Sequence, residues 1–222
     1  MAHDTSRDPR LLVGEIALKR LNKLLPLRHG AQPKLGKQET SAELKRIESN
    51  LMACKFMYLA PDDLAGQGPL LEVVASARKL RESLEDALAR KEVNPMVRAD
   101  LRWCFRVLEG LTDRLRRPAS TLAAGVDLLA VKVKQLTKKD KLWVTRVDAG
   151  DSELTVVTNM EGIAPGQVLA AALLPPVELA GTVSEAMYLG KESCAAPPGT
   201  LLADDAVDAR EAASILHEEA SR

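Results

Sequence analysis

The sequence predicts an α+β chain: an N-terminal helical bundle, a small C-terminal five-stranded barrel and a short terminal helix. Three observations carry this. Apolar residues recur at three- and four-residue steps up to about Arg117. After Pro118 the steps shorten towards alternation, with short apolar runs parted by Gly, Pro, Asn and Asp. A last stretch, Asp208 to Ala220, returns to the helical step through Ala212, Ile215 and Leu216. The expected units are residues 1–118, 126–190 and 191–222.

A first helix is expected at about Leu11 to Leu25. Pro26, Gly30, Pro33 and Gly36 then mark a loop. Thr40 and Glu43 have the spacing of a capping box, which places a helix start there. Leu44, Ile47, Leu51, Cys54 and Tyr58 form its apolar face. Pro61, Asp62, Asp63, Gly66 and Gly68 mark a second loop. Leu70 to Lys91 reads as a long helix with Val73, Ala77, Leu80, Leu84 and Leu88 inward. Asn94 before Pro95 is an N-cap followed by proline in the first turn. Met96 to Arg117 is then one helix, ended by Pro118.

The strands are expected at Val126–Leu136, Lys141–Asp148, Glu153–Asn159, Gln167–Leu174 and Thr182–Leu189. In the first, Leu129, Val131 and Val133 face inward and Lys132 and Lys134 outward. In the second, Lys141, Trp143 and Thr145 share the outer face, opposite Leu142 and Val144, and alternation turns Arg146 inward. Five short strands with turn signals suggest a barrel.

The 222 residues hold 31 basic and 31 acidic side chains, so bulk charge does not grip a polyanion. The distribution is uneven. From Lys132 to Arg146 six cations (Lys132, Lys134, Lys138, Lys139, Lys141, Arg146) stand against one acid, Asp140. Cys54, Cys104 and Cys194 lie far apart, with no CxxC, which fits a reducing, cytoplasmic setting. His3, His29 and His217 are too scattered for a metal motif. No apolar run reaches a membrane span, and Met1 to Arg10 lacks a signal-peptide core. No GxxxxGK[ST], GxGxxG or GxSxG occurs, so neither a nucleotide loop nor a nucleophile elbow is visible. The expectation is a binding protein without cofactor or metal, not an enzyme.

Asp140-Lys141-Leu142-Trp143-Val144, Val147-Asp148-Ala149-Gly150, Leu154 to Asn159 and Ser184-Glu185-Ala186-Met187 resemble the tRNA-binding OB-fold domain. That domain is appended to methionyl- and phenylalanyl-tRNA synthetases and occurs in endothelial monocyte-activating polypeptide II. Free-standing bacterial tRNA-binding proteins also carry it. The likeness covers Val126 to Gly190. The helical half is similar to an archaeal group of predicted RNA-binding proteins with this domain at the C-terminus. Two departures stand out. Leu136-Thr137-Lys138-Lys139 replaces the family's His-Pro-Asn-Ala, and Ala186 replaces the glycine of Ser-x-Gly-Met.

The resemblance implies an OB-fold that binds tRNA or another structured RNA. The expected site is Lys132, Lys134, Lys138, Lys139, Lys141, Trp143, Arg146, Asn159 and Ser184. Such a surface combines cations that track phosphates with an aromatic on which bases stack. Each residue also has a plainer reading. Outward lysines are commonly just solvated, and Trp143 packs against a neighbour if it does not stack. Asn159 is either a turn residue or a base reader. Met187 is expected in the barrel core. Arg98, Arg102 and Arg106 form a stripe that either pairs with Glu82, Glu85 and Asp86 or meets phosphate. The second functional reading is an adaptor that docks an aminoacyl-tRNA synthetase through the helical half. The free-standing family members also imply a homodimer.

Overall fold

A computed structural model describes residues 4–27, 32–90, 92–119 and 121–221. Met1 to His3, His29, Gly30 of the expected loop, and Lys91 lie outside these.

Helix α1 (Pro9–Leu27) follows a short 3₁₀ turn at Thr5–Arg7, with Asp8 between them. Helix α2 (Lys37–Lys55) begins earlier than Thr40. Its N-cap is Gly36, whose N–H is accepted by Glu39 Oε2 at 3.3 Å. Glu39 therefore does what was expected of Glu43. Glu43 instead lies buried mid-helix, accepting Lys79 Nζ at 2.7 Å. The helix stops at Lys55, and Tyr58 stands beyond it at φ 53°.

The loop expected at residues 61–68 holds a five-residue helix, α3 (Pro61–Ala65), started by its proline. Helix α4 (Gly68–Ala89) follows. Asn94 caps α5 (Pro95–Glu109) as expected, its Oδ1 accepting the N–H of Met96 at 2.8 Å. The single helix expected to Arg117 breaks at Gly110 into α5 and α6 (Leu111–Leu115). Arg114 explains the break. Its Nη1 reaches back over Gly110 to donate to Val107 O at 2.8 Å and to Arg106 O at 3.1 Å, the latter also accepting the Gly110 N–H at 3.2 Å, so the guanidinium caps the end of α5. A Cβ at Gly110 would sit 2.5 Å from that nitrogen.

A 3₁₀ turn at Leu122–Gly125 leads into the strands. Strand β1 (Leu128–Lys139) pairs antiparallel with β2 (Leu142–Asp148), and β2 with β3 (Glu153–Thr158). Strand β4 (Val168–Ala172) pairs with the first half of β1. The expected fifth strand is divided. Strand β5 (Val177–Leu179) and β6 (Thr182–Ser184) form a hairpin, and β7 (Met187–Ser193) pairs with β4. Ala180 and Gly181 turn that hairpin with φ of 48° and 68°, the two left-handed residues that a tight hairpin turn needs.

The main sheet runs β3-β2-β1-β4-β7. Among the described residues no ladder joins its edges. Near them Glu185 N–H reaches Thr155 O at 2.9 Å and Val157 N–H reaches Ser184 Oγ at 3.0 Å. Of the expected five-stranded barrel, the described residues show an antiparallel five-stranded sheet and a two-stranded hairpin.

Two apolar cores form. Leu129, Val131, Val133, Val147, Val156 and Leu169 fill that of the sheet. The larger core of α1, α2, α4 and α5 also takes in Val126, Leu128, Ala172 and Leu174 from the sheet half. Helix α7 (Arg210–Ala220) returns to this core through Ala212 and Leu216, and Glu219 accepts Arg20 Nη2 at 2.7 Å. Before it, residues 199–202 hydrogen-bond to the start of β1: Ala130 N–H to Thr200 O at 3.0 Å and Leu202 N–H to Leu128 O at 2.8 Å. That strap satisfies backbone groups which an open strand edge would leave bare.

Candidate nucleic-acid interface

The β1–β2 hairpin is the element that gathers the cations. Its turn is the two residues Asp140 and Lys141, and Asp140 takes φ 56°, a conformation that aspartate tolerates better than most residues. The ladder sets Lys138 opposite Trp143 and Lys139 opposite Leu142. Both strands extend beyond the core here, so the loop expected at residues 136–139 is strand, and Lys138, Lys139 and Lys141 stand exposed at the tip.

Alternation along β2 from the buried Val147 sets its faces, and a register shift between Val133 and Gln135 realigns β1 against it. Beyond it, Leu136 and Lys138 lie on one side with Thr145 and Trp143, while Gln135 lies opposite Arg146. Thr145 is therefore buried, not outward as expected. Its Oγ1 donates to Val156 O at 3.0 Å and lies 2.7 Å from Tyr188 Oη. Burial pushes the Tyr188 phenol up to about 12, against the pull of that hydrogen bond. Arg146 is outward, not inward. Trp143 shares the parity of buried Thr145 but lies past the end of the core, so it is half-buried. Lys138 Nζ stands 5.4 Å from the centroid of its ring.

The remaining cations divide. Lys134 donates to Glu153 Oε1 at 2.9 Å and lies 3.7 Å from Asp148, and its ammonium is held above its ordinary value by that hydrogen bond and the two carboxylates. Lys139 donates to Thr182 Oγ1 at 3.1 Å, across to β6. Among the described residues Lys132, Lys141 and Arg146 form no ion pair or side-chain hydrogen bond, and all three are exposed. Asn159 is exposed just after β3, next to Thr158, the cross-strand partner of Trp143.

Ser184 is buried. Its hydroxyl accepts Val157 N–H and donates to Ala186 O, both at 3.0 Å, so it braces the chain between β6 and β7 and presents nothing to solvent. Ala186 fills the sheet core, whereas Met187 packs against the helical core rather than inside the sheet as expected.

The arginine stripe of α5 does not meet Glu82, Glu85 or Asp86. Arg98 caps the end of α4 through the carbonyls of Arg90 and Val93. Arg106 donates to Asp127 Oδ2 at 2.8 Å. Arg102 is exposed and, among the described residues, forms no hydrogen bond or ion pair. The ion pairing between α4 and α5 comes instead from Arg81 and Glu109, at 2.7 Å.

Asp127 was missed in the sequence, although an acid inside Val126-Asp127-Leu128-Leu129 is a signal for a paired buried carboxylate. It takes Arg106 and also Arg114, whose Nη2 donates to Oδ1 at 2.9 Å. Burial pushes its carboxyl up, but Arg114, Arg106 and Arg117 together hold it below its ordinary value. With Trp103 Nε1 donating to Leu173 O at 3.0 Å, this contact ties the helices to the sheet. The hairpin tip lies at the other end of the sheet from these contacts.

Among the described residues no cluster of His, Cys, Asp and Glu can hold a metal ion. None of their helices is long and apolar enough to cross a membrane.

Comparison with known proteins gives two family matches. Residues 129–209 match a family described as Putative tRNA binding domain, and residues 1–117 one described as Alpha helical domain. Neither description is catalytic. No curated protein matches the chain. The helical match spans 117 of 222 residues, so the chain belongs to the alpha helical domain family, with a match to the tRNA binding domain model behind it.

Proposed function

We propose that this protein binds structured RNA, tRNA foremost, at the β1–β2 hairpin of a partly open OB-type barrel, and that it is a cytoplasmic binding protein rather than an enzyme. The observation that carries this reading is the cluster of exposed Lys138, Lys139 and Lys141 around the half-buried Trp143. The sheet order and the near approach of Glu185 to Thr155 support the barrel, since OB folds are five-stranded and only partly closed.

Mechanistically, the lysines displace counterions from phosphates, and an unstacked base takes the face of Trp143. Lys132, Arg146 and Asn159 extend the surface along the sheet. Lys134 contributes less, because Glu153 and Asp148 already neutralise it. Ser184 acts only by holding the β6–β7 segment. A few cations give one copy modest affinity, which a homodimer would multiply by avidity. The test is anisotropy of labelled tRNA with the wild-type chain and with Lys138→Glu/Lys139→Glu/Lys141→Glu. Loss of binding with the fold intact supports the site, and retained binding overturns it.

A second reading is a synthetase-docking adaptor. Met52, Phe56 and Tyr58, each about half exposed at the end of α2, favour it. Copurification of an aminoacyl-tRNA synthetase that is lost in Phe56→Glu would support it.

A further inference from the structure

Between the helical half and the sheet lies an open cleft of about 1140 Å³ that is separate from the hairpin tip. This slightly exceeds the usual size of small-molecule clefts, roughly 300–1,000 Å³. The β2–β3 turn forms one of its lips, at the opposite end of β2 from Trp143. Six residues of strand therefore part the two places, about 20 Å.

The two walls carry opposite charge. The helical wall presents Arg78, Arg81, Arg102, Arg106 and Arg117. Its acid Glu109 is taken by Arg81 at 2.7 Å, and Asp113 by Arg116 at 3.6 Å. Arg102 is exposed and unpaired among the described residues, and Arg78 reaches Glu109 only at 3.9 Å. The sheet wall presents Asp151, Glu153 and Glu185, of which Glu153 also accepts Lys134 at 2.9 Å and Glu185 the N–H of Thr155 at 3.1 Å. Asp127 also lines the cleft and takes Arg106 at 2.8 Å and Arg117 at 3.7 Å, and Arg106 lies 3.6 Å from Asp151, which leaves Arg102 and Arg78 as the helical wall's less engaged cations. Leu154 and Leu201 offer apolar surface between the walls, and Leu201 is 45% exposed, unusual for a leucine placed inside a cleft.

A continuous phosphate backbone does not suit this place, because the sheet wall repels it. A bare anion leaves the leucines and acids unused. A single nucleotide unit uses all three surfaces. We infer that the cleft binds one nucleotide. Its phosphate lies in the planar forks of Arg102 and Arg78, its base covers Leu154 and Leu201, and its hydroxyl and amino hydrogens are donated to Asp151 and Glu153. The nucleotide is either free in solution or the unpaired terminal residue of an RNA held at the hairpin.

The test uses the full chain, wild type and Arg102→Glu, with Arg102→Lys to keep charge without the fork. Calorimetry with the four nucleoside 5′-monophosphates and inorganic phosphate forms one arm. Anisotropy with tRNA carrying or lacking its unpaired 3′ nucleotides forms the other. If the nucleotide is free, a monophosphate binds at least tenfold tighter than inorganic phosphate. Arg102→Glu then weakens it at least tenfold, Arg102→Lys falls between, and tRNA affinity does not move. If it is an RNA end, Arg102→Glu weakens intact tRNA severalfold and trimmed tRNA not at all. The melting temperature stays within a degree or so in either case. Inorganic phosphate binding as well as the nucleotides, or no response to Arg102→Glu in either arm, overturns the inference. The hairpin triple variant retains mononucleotide binding, so failure of the hairpin reading is seen separately.

Discussion

Lys138 and Trp143 face each other across the β1–β2 ladder, with the ammonium of one 5.4 Å from the ring centroid of the other. A base that stacks on the indole takes the place of that ammonium, which is then free for the adjoining phosphate. Trp143→Ala should cost about 1–3 kcal/mol of RNA affinity. Trp143→Phe should restore part of it. Because Trp103 is buried in the helical core, quenching of tryptophan emission on RNA binding should vanish in Trp143→Ala. Unchanged affinity and quenching in that variant would remove Trp143 from the interface.

Lysines that look alike in the sequence should differ in effect. Lys141→Ala should weaken RNA binding and lower its salt slope by about one. Lys134→Ala should do less, since Lys134 is shared between Glu153 and Asp148. Paired salt titrations of the two variants check this, and equal effects would count against the distinction.

Asp127 should dominate the attachment of the two halves. Asp127→Ala leaves Arg114 buried without its carboxylate, and such a loss costs about 3–5 kcal/mol. Chemical denaturation measures it. The pH dependence follows from the same contacts. The folded carboxyl lies below its ordinary value, so the unfolded chain binds the proton more readily. The stabilisation is complete above about pH 4, the ordinary aspartate range, and is lost as pH falls through the lowered folded value. Asp127→Asn should flatten this acid limb.

Gly150 and Gly199 touch back to back where the strap crosses the β2–β3 turn, with φ of 87° and 84°. A Cβ on Gly199 would lie 2.8 Å from Ala149 O. Gly162 has almost the same φ, 85°, but open space around it. Gly162→Ala should cost about 1–2 kcal/mol from backbone strain alone. Gly199→Ala should cost more, with a larger fall in melting temperature, because the strap must also shift.

Much of the fold was legible because its signals are local. Asn94-Pro95 caps α5, and the periodicities of Leu70 to Leu88 and of Leu129, Val131 and Val133 hold in the structure. What escaped depends on distant partners. The break at Gly110 exists because Arg114 folds back on α5. The outward Arg146 and buried Thr145 follow from alternation with the buried Val147 and from Tyr188, 43 residues away in sequence. Apolar character had assigned Leu142 and Val144 inward, whereas two hydrogen bonds let a threonine take the core position. At the interface, the tip lysines were visible as a charge run. The burial of Ser184 was not, since its two partners lie on the backbone. The nucleotide-sized cleft joins residues from α4, α5, the β2–β3 turn and the tail, a proximity no sequence pattern reveals.

The central claim is that the hairpin lysines hold RNA through its phosphates. The most direct measurement is anisotropy of labelled tRNA across a salt series, with duplex DNA as competitor, for wild type and Lys138→Glu/Lys139→Glu/Lys141→Glu. Wild-type affinity should fall linearly in log–log form with a slope of about −2 to −4, for three to five phosphates neutralised. Binding should also resist duplex DNA, and the folded triple variant should show no measurable binding. A salt-independent affinity, or a triple variant that binds as tightly as wild type, would contradict that claim.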